Sequence, residues 1–589
     1  MVGVFKDMKI LLFTFAAIVH LGCVASAGAA DPFHETPQEY AARAQWLREA
    51  KVGVFVHWNP SSVIAREISW SRKDYGTNNY DQLYKQFKGE KFNADNWVRL
   101  FYESGIRYAV IVSKHHDGFS MFDTKVPVCS EYSAMKAPFG RNYVKEMSDA
   151  CHRGGVKFCL YYSVLDWWNP KYSGKEGADL TAYKEEVFKP HMQELLTKYG
   201  DVGYIWFDGS WEGSWTHADG REMYGFVRRL QPATLIGNRI EPRRFGYTDG
   251  VPEVDTMYPG PDGVGDYAAR EWELGNYDTN KAWDKCLQLA PASPYGGWSW
   301  DGDAMNLRSC NDLVTYLIEC IGRDGGLLLG VGPRPDGTID PTHATRMLEF
   351  GDWLKLNGEA VYGTRGGPYL PGNWGVSTRK GDKVFLFIQR WKGGASKLPA
   401  LPRNVKSTRM LTRGSVKVEK DGDDLVVRVP EDFHRPIATI VELTLDGDAM
   451  RLPVIQVPEP KNLALGKPVE VSSFWPGREE ELNKTHITDG NPATLWASNE
   501  EARDAWVTVD LQQECEVSQA MLSDAPYGRT QAFDLEAQVG GEWRKVAKGS
   551  TIGVKLYLEF PTIKARLFRL NIRKASDTPT LAEFQLFGN

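Results

Sequence analysis

The chain has 589 residues, 25% of them charged, and a net charge of −6, with no basic cluster and, after its first thirty residues, no apolar run long enough to cross a bilayer. This argues against nucleic acid and against a membrane-spanning protein. The length predicts two to four domains with ample core, and 20 Trp and 25 Tyr are an excess of the kind that exported sugar-gripping proteins use as aromatic platforms.

Residues 1–30 carry Lys6 and Lys9, an apolar run from Ile10 to Val19, and the small residues Ala25-Ser26-Ala27 and Ala29-Ala30. That pattern is a signal peptide and predicts export to a periplasmic or extracellular space. His20-Leu21-Gly22-Cys23 is the alternative cleavage site, with a lipid on Cys23. His20 stands where an aliphatic residue is expected, so cleavage among the alanines is favoured. The eight cysteines, Cys23 included, show no CxxC spacing. Cys151 and Cys159 are read either as a pair or as buried free thiols.

From Lys51 onward short apolar runs alternate with helical periodicity, the βαβ signature. Val52–Val56 ends at His57-Trp58, Tyr108–Val112 at Lys114-His115-His116-Asp117, Phe158–Tyr162 at Ser163, Tyr204–Phe207 at Asp208, Leu235–Gly237 at Asn238-Arg239, and Leu327–Val331 at Gly332-Pro333. Helices are expected over Ala94–Glu103, Tyr143–His152, Tyr183–Lys198, Glu222–Leu230 and Asn311–Cys320. Polar residues recur at strand C-termini, and a (β/α)8-like barrel accounts for this, with an irregular strand or a missing helix after the fifth strand.

In such a barrel His57, His115, His116, Asp208 and Arg239 converge on one pocket. Gly209 lets the chain turn away after Asp208, while Trp206 and Trp211 offer flat faces for a sugar. An acid after a strand also caps helices, and a His pair is often structural. Adjacent histidines diverge and neither HxH nor HExxH is present, so the set is a poor metal site. Neutral imidazoles that both donate to and accept from hydroxyl groups fit better.

Several ordered motifs between residues 35 and 365 resemble the family 29 glycoside hydrolases, chiefly exo-acting α-L-fucosidases. They are Lys51-Val52-Gly53-Val54-Phe55-Val56-His57-Trp58, His115-His116-Asp117-Gly118-Phe119, Leu160-Tyr161-Tyr162-Ser163 with Asp166-Trp167, Trp206-Phe207-Asp208-Gly209, Gly326-Leu327-Leu328-Leu329 through Pro333, and Asp336-Gly337-Thr338-Ile339 with Asn357–Thr364. The resemblance implies a retaining mechanism with Asp208 as nucleophile and no cofactor. Gly265-Asp266-Tyr267-Ala268-Ala269-Arg270-Glu271 is similar to the family's acid/base stretch and nominates Glu271, ahead of Glu253 and then Glu273. Arg239 matches an Arg that braces the nucleophile or a ring hydroxyl, and Trp70 a substrate-facing Trp. His57, His115, His116 and one of Tyr161 and Tyr162 would bind sugar hydroxyls, since strand alternation sends only one of the two tyrosines inward.

The chain departs from the family at Asn59-Pro60, at Trp283-Asp284-Lys285-Cys286 and at Gly297-Trp298-Ser299-Trp300. The last two lie near the expected place of the sugar's C6 methyl and leaving group, so α-L-galactose, which adds one hydroxyl, is a rival substrate. A non-catalytic glycan-binding barrel and a metal-dependent hydrolase using His57 and His115 are the remaining alternatives.

Residues 31–364 are thus the expected catalytic domain. Short strands at Lys383–Ile388, Val416–Glu419, Leu425–Val429 and Ile437–Leu443 predict an antiparallel β-sandwich over 365–455, followed by the proline-rich linker Pro453–Pro460. Residues 461–589, with Thr488-Asp489-Gly490-Asn491, Trp506–Leu511 and a closing Leu581–Gly588, resemble an F5/8 type C (discoidin) jelly roll shared with family 32 carbohydrate-binding modules. That resemblance implies a structural Ca2+ near Asp489 and Glu583, and a glycan or no ligand at all on its loops. The implied partner of the whole chain is a fucosylated oligosaccharide or glycoconjugate.

Overall fold

The computed structural model describes residue 33 and residues 35–172, 179–211, 215–242, 264–271, 274–291, 297–302, 304, 307–492, 494–524 and 527–588. The signal-peptide reading of residues 1–30 and the carboxylates of Glu253 and Glu273 lie outside them.

Eight parallel strands form the first sheet: β1 Val52–Val56, β2 Tyr108–Lys114, β3 Lys157–Ser163, β4 Tyr204–Asp208, β5 Leu235–Ile236, β6 Tyr267–Arg270, β7 Ala282–Gln288 and β8 Gly326–Val331. Their order is β5-β4-β3-β2-β1-β8-β7-β6, and a parallel bridge between Gly237 and Tyr267 joins the two ends into a barrel. β1, β2 and β8 are buried along their whole length, as continuous apolar runs covered on both faces must be. Inside the barrel Tyr108, Tyr161, Tyr204, Trp206, Tyr267 and Phe55 pack together, while Val54, Val56, Ile111, Leu160, Ile205 and Phe207 face the helices.

The weakest seam, between β5 and β6, is sealed by a side chain. The Asp266 carboxylate accepts from Ile236 N–H at 2.8 Å, from Tyr224 Oη–H at 2.8 Å and from Arg43 Nη2 at 2.9 Å. β6 and β7 lack the apolar signature of the other strands because they carry Arg270, Asp284, Lys285 and Gln288, all buried. Among the described residues no helix joins β6 to β7, so the irregularity extends past the fifth strand to the sixth.

Helices Ala94–Glu103, Tyr143–Gly154, His217–Leu230 and Cys310–Gly322 form where periodicity places them. Pro37–Ala50 and Pro341–Asn357 are additional helices, the first opened by a Thr36/Glu39 capping box and the second by Asp340 ahead of Pro341. Cys151 and Cys159 are buried free thiols.

Strands β9 to β16, from Arg365–Gly366 to Thr439–Leu445, pair into a five-stranded and a three-stranded antiparallel sheet around Tyr369, Trp374, Leu386, Leu398 and Val427. The last unit is all β, dominated by the antiparallel strands Ala505–Ser523 and Leu556–Ala575. It docks on its neighbours through polar contacts: Lys555 Nζ to Glu319 at 3.3 Å, Tyr557 Oη–H to Asn373 at 2.7 Å, and Arg390 Nε to Gln519 at 2.7 Å. No described helix is long and apolar enough to cross a membrane.

Candidate active site

Four buried residues of β4 bring the chain to the barrel's C-terminal rim, where Asp208 is the first side chain with partial access to solvent. Gly209 has φ +88°, and a Cβ there would lie 2.6 Å from Leu165 and 2.9 Å from Ser163 Oγ. Glycine is required both for the turn and for the close approach. Asp208 Oδ1 accepts from Arg239 Nη1 at 3.1 Å and Oδ2 accepts from Tyr161 Oη–H at 3.1 Å. His116 Nε2 lies 3.8 Å from Oδ2.

Arg239, in the turn after β5, is buried and holds a second carboxylate. Its Nη2 donates to Glu271 Oε2 at 2.8 Å. One guanidinium therefore spans Asp208 at the end of β4 and Glu271 just past β6. Burial opposes its charge, but Glu271 and Asp208 raise the Arg239 pKa above its ordinary value. The cation also sits 5.2 Å from the Trp206 ring, which is buried against Phe55. Trp206 is thus the floor under Arg239 rather than an open stacking face, a correction to its expected role. The reason is its inward position on β4, two residues before Asp208 at the rim.

The three histidines line the same end. His115 Nδ1 is hydrogen-bonded to Ser69 Oγ at 2.6 Å and His116 Nδ1 to Ser163 Oγ at 2.6 Å. Both bonds fix a ring by one nitrogen and leave the other for a ligand. Burial pushes the His57 pKa down to about 3, and burial reinforced by Lys114 does the same for His116. His115 is likewise lowered, by burial and by its histidine neighbours. All three are neutral near pH 7. Among the described residues no group of three or more His, Cys, Asp or Glu side chains is arranged to hold a metal.

β3 sends Tyr161 inward, stacked on His115 at 5.1 Å, and Tyr162 outward. The Tyr162 hydroxyl pairs with His191 Nδ1 at 2.9 Å, and its ring packs on Phe188. Strand alternation thus removes Tyr162 from the expected set of site residues. Trp70 is half exposed at the rim; its ring lies 5.4 Å from His116 and stacks with Trp211 at 6.2 Å and 18°.

Several further contributors were not among the expected site residues. Glu67 accepts from Gly297 N–H at 2.7 Å, Trp298 N–H at 3.0 Å and Ser299 N–H at 3.2 Å, and so binds the β1 loop to the β7–β8 connection. Trp298 is thereby held with its ring 5.2 Å from His57. Burial raises the Glu67 pKa in spite of these bonds. Asp117 ties together the loops behind the histidines, its Oδ2 accepting from Asn59 Nδ2 and Tyr80 Oη–H, both at 2.8 Å. Their place in the loops after buried strands is the one sequence signal these residues share.

In the last unit Glu583 is buried, and its Oε1 has no hydrogen-bond partner. Burial, with a contribution from neighbouring Asp489, lifts its pKa to about 8. Asp489 in turn accepts from Thr494 Oγ1–H at 2.7 Å and Asn491 N–H at 2.8 Å.

The family described as Alpha-L-fucosidase matches residues 22–359, and that described as F5/8 type C domain matches residues 468–584. The chain is 26% identical over 367 residues to the tissue alpha-L-fucosidase of Mus musculus, covering 59% of this chain and 75% of that protein. It is 25% identical over 418 residues to the human tissue alpha-L-fucosidase, covering 66% and 85%. Among solved structures it is similar to alpha-L-fucosidase isoenzyme 1 from Paenibacillus thiaminolyticus, with a TM-score of 0.60, 27% identity, and coverage of 69% of this chain and 99% of that one. The alpha-L-fucosidase from Vibrio sp. strain EJY3 shares the fold over 92% of this chain and 97% of its own, with a TM-score of 0.61 and 21% identity.

Proposed function

The chain belongs to the alpha-L-fucosidase family, and we propose that its barrel removes terminal α-L-fucosyl residues from glycans with retention of anomeric configuration. The observation that carries the reading is Arg239 bridging Asp208 and Glu271. Two carboxyl groups a guanidinium apart fit the separation of about 5 Å that a covalent mechanism needs, without room for a water between them and the sugar.

Asp208 attacks the anomeric carbon, and the bond to the leaving oxygen breaks as Glu271 gives that oxygen its proton. The product is a glycosyl ester on Asp208 and a free alcohol. Glu271, now ionised, takes a proton from water, which displaces Asp208 and releases fucose. Tyr161 and Arg239 hold the nucleophile in line, and neutral His57, His115 and His116 exchange hydrogen bonds with ring hydroxyls. A 2-deoxy-2-fluoro-fucosyl fluoride should label the protein once. A labelled peptide that excludes Asp208, or a first product with reversed configuration, overturns the reading.

The Glu583 carboxylate fits a cation. It is buried with an unpaired oxygen beside a second acid, and Asp489 and Glu583 would hold Ca2+ together with neighbouring carbonyl groups. Such an ion would serve the stability of the last unit. Export, read from residues 1–30, places the enzyme where glycoconjugates are exposed.

A further inference from the structure

β6 and β7 run side by side with Arg270 opposite Lys285, and both side chains point away from the barrel interior. Lys285 is buried, and its Nζ donates to the backbone carbonyl of Glu271 at 2.8 Å. It stands 5.8 Å from the Tyr316 ring of the helix Cys310–Gly322. Arg270 is fully buried, its guanidinium 4.0 Å from the Trp283 ring. Its Nη1 donates to Leu274 O at 2.8 Å and Asn276 O at 3.5 Å, and its Nη2 lies 3.6 Å from Asp278. The chain wraps closely round this cation: a Cβ on Gly275, whose φ is +67°, would fall 2.0 Å from Arg270 Nη1.

After β1 to β4, β7 and β8 the chain enters a helix, which satisfies its own carbonyls. After β6 no described helix does so, and the carbonyls of Glu271, Leu274 and Asn276 point at two buried cations instead. Burying a charge costs more than burying a hydrocarbon of the same size, and apolar residues would pack between Trp283 and Tyr316 as well. What the cations add is a fixed path for the backbone that carries Glu271.

We propose that Lys285 and Arg270 are positioning residues for the acid/base Glu271, their buried cations replacing a helix as the support of its loop. The inference rests on the reading of Glu271 given above. Neither cation touches the sugar. Both act through the placement of one carboxyl, which must meet the leaving oxygen within hydrogen-bond reach.

The test uses leaving groups of different need. An aryl fucoside with a good leaving group, 2-chloro-4-nitrophenyl α-L-fucoside, departs without a proton, whereas methyl α-L-fucoside requires one. Lys285→Met and Arg270→Lys in the full chain should each lower kcat/KM for the methyl glycoside by about 10- to 100-fold, the scale of a catalytic group misplaced by about 1 Å. For the aryl glycoside the change should stay within about threefold. A merely structural role would lower both equally, and such a result, or no loss with either, overturns the inference. Glu271→Ala measured beside them separates the two levels. If it shows the leaving-group split and Lys285→Met does not, only the positioning role falls; if Glu271→Ala itself shows no split, the acid/base reading falls and takes this inference with it. Should Lys285→Met not fold, Arg270→Lys decides by the same criterion.

Discussion

Replacing Asp208 by glycine should stop turnover and yet leave an enzyme that added azide can restart. The carboxylate holds three neighbours: Arg239 at 3.1 Å, Tyr161 at 3.1 Å and His116 at 3.8 Å. Of these Arg239 keeps Glu271, so no buried charge is stranded, and the cost to folding should stay within about 1–3 kcal/mol. The loss of rate is far larger. A positioned nucleophile acts at an effective concentration of about 10^5–10^8 M, against roughly 55 M for the water that replaces it, so kcat/KM should fall by about 10^3- to 10^6-fold. Azide entering the vacated volume attacks from the face Asp208 held and yields the β-fucosyl azide. In Glu271→Ala, by contrast, Asp208 still forms the ester, and azide attacks from the other face to give the α-anomer. Proton NMR of the two products distinguishes them. An α-azide from Asp208→Gly, or more than about 1% residual turnover without azide, would refute the assignment of the two carboxyl groups.

The two tyrosines of β3 should separate cleanly: Tyr161→Phe removes a hydrogen bond to a charged group, worth about 1.5–3 kcal/mol or roughly 10- to 100-fold in kcat/KM, whereas Tyr162→Phe, whose lost hydroxyl pairs with His191 outside the barrel, should change it less than twofold. The buried imidazoles of His57 and His116, with pKa values near 3, should show no titration by NMR between pH 5 and 8. Because their folded values lie below the unfolded value of about 6.5, they withdraw stability as pH falls below 6.5, when the unfolded chain takes up protons that the folded one refuses. Asp284 behaves oppositely: burial raises its pKa to about 7 although Tyr108 and Tyr204 donate to it at 2.9 and 2.8 Å. The folded state then binds the extra proton between about pH 4 and 7, so stability falls as pH rises through that window. Asp284→Asn should gain about 2–3 kcal/mol relative to the parent between pH 5 and pH 8 in denaturant unfolding, and a pH-independent difference would sink the account. Added Ca2+ should raise the unfolding temperature of the last unit, with no such rise in Glu583→Gln, and the effect should grow as pH rises through about 8, where Glu583 loses its proton.

Strands β1 to β4 and β8 were legible because apolar runs buried on both faces leave an unbroken signal. β6 reads Tyr-Ala-Ala-Arg and β7 reads Ala-Trp-Asp-Lys-Cys-Leu-Gln, and their polar residues are buried, Asp284 against tyrosines of distant strands and Arg270 against carbonyl groups just after it. Periodicity records polarity and cannot record the Tyr108 and Tyr204 hydroxyls that make Asp284 tolerable. Helices Pro37–Ala50 and Pro341–Asn357 escape a reading of periodicity, since their signal is in the caps rather than in a stripe. In the site, Asp208 and the histidines stand at strand ends and declare themselves. Glu271 was reachable through family resemblance, whereas Glu67, Ser69 and Trp298 matter through backbone hydrogen bonds that no residue pattern encodes.

The same contrast explains where the chemistry sits. Asp208 ends a strand that stays in register with β3 from Leu160–Ile205 to Ser163–Asp208, so the proposed nucleophile stands on paired backbone. Glu271 follows the seam where β5 has two residues, β6 has four, and closure rests on one bridge and the Asp266 carboxylate. A group that must first give a proton and then take one has to meet the leaving alcohol and, in turn, the incoming water. Where a continuous ladder of backbone hydrogen bonds is lacking, side-chain cations and a shared guanidinium hold Glu271 instead. In the proposed mechanism Arg239 would couple the two ends: with Glu271 protonated the guanidinium would turn its full charge on Asp208, and with Asp208 esterified that charge would be left for Glu271 as it ionises. On that mechanism the bridge would favour whichever carboxyl is ionised at each step, through the 3.1 Å and 2.8 Å contacts that join Arg239 to both.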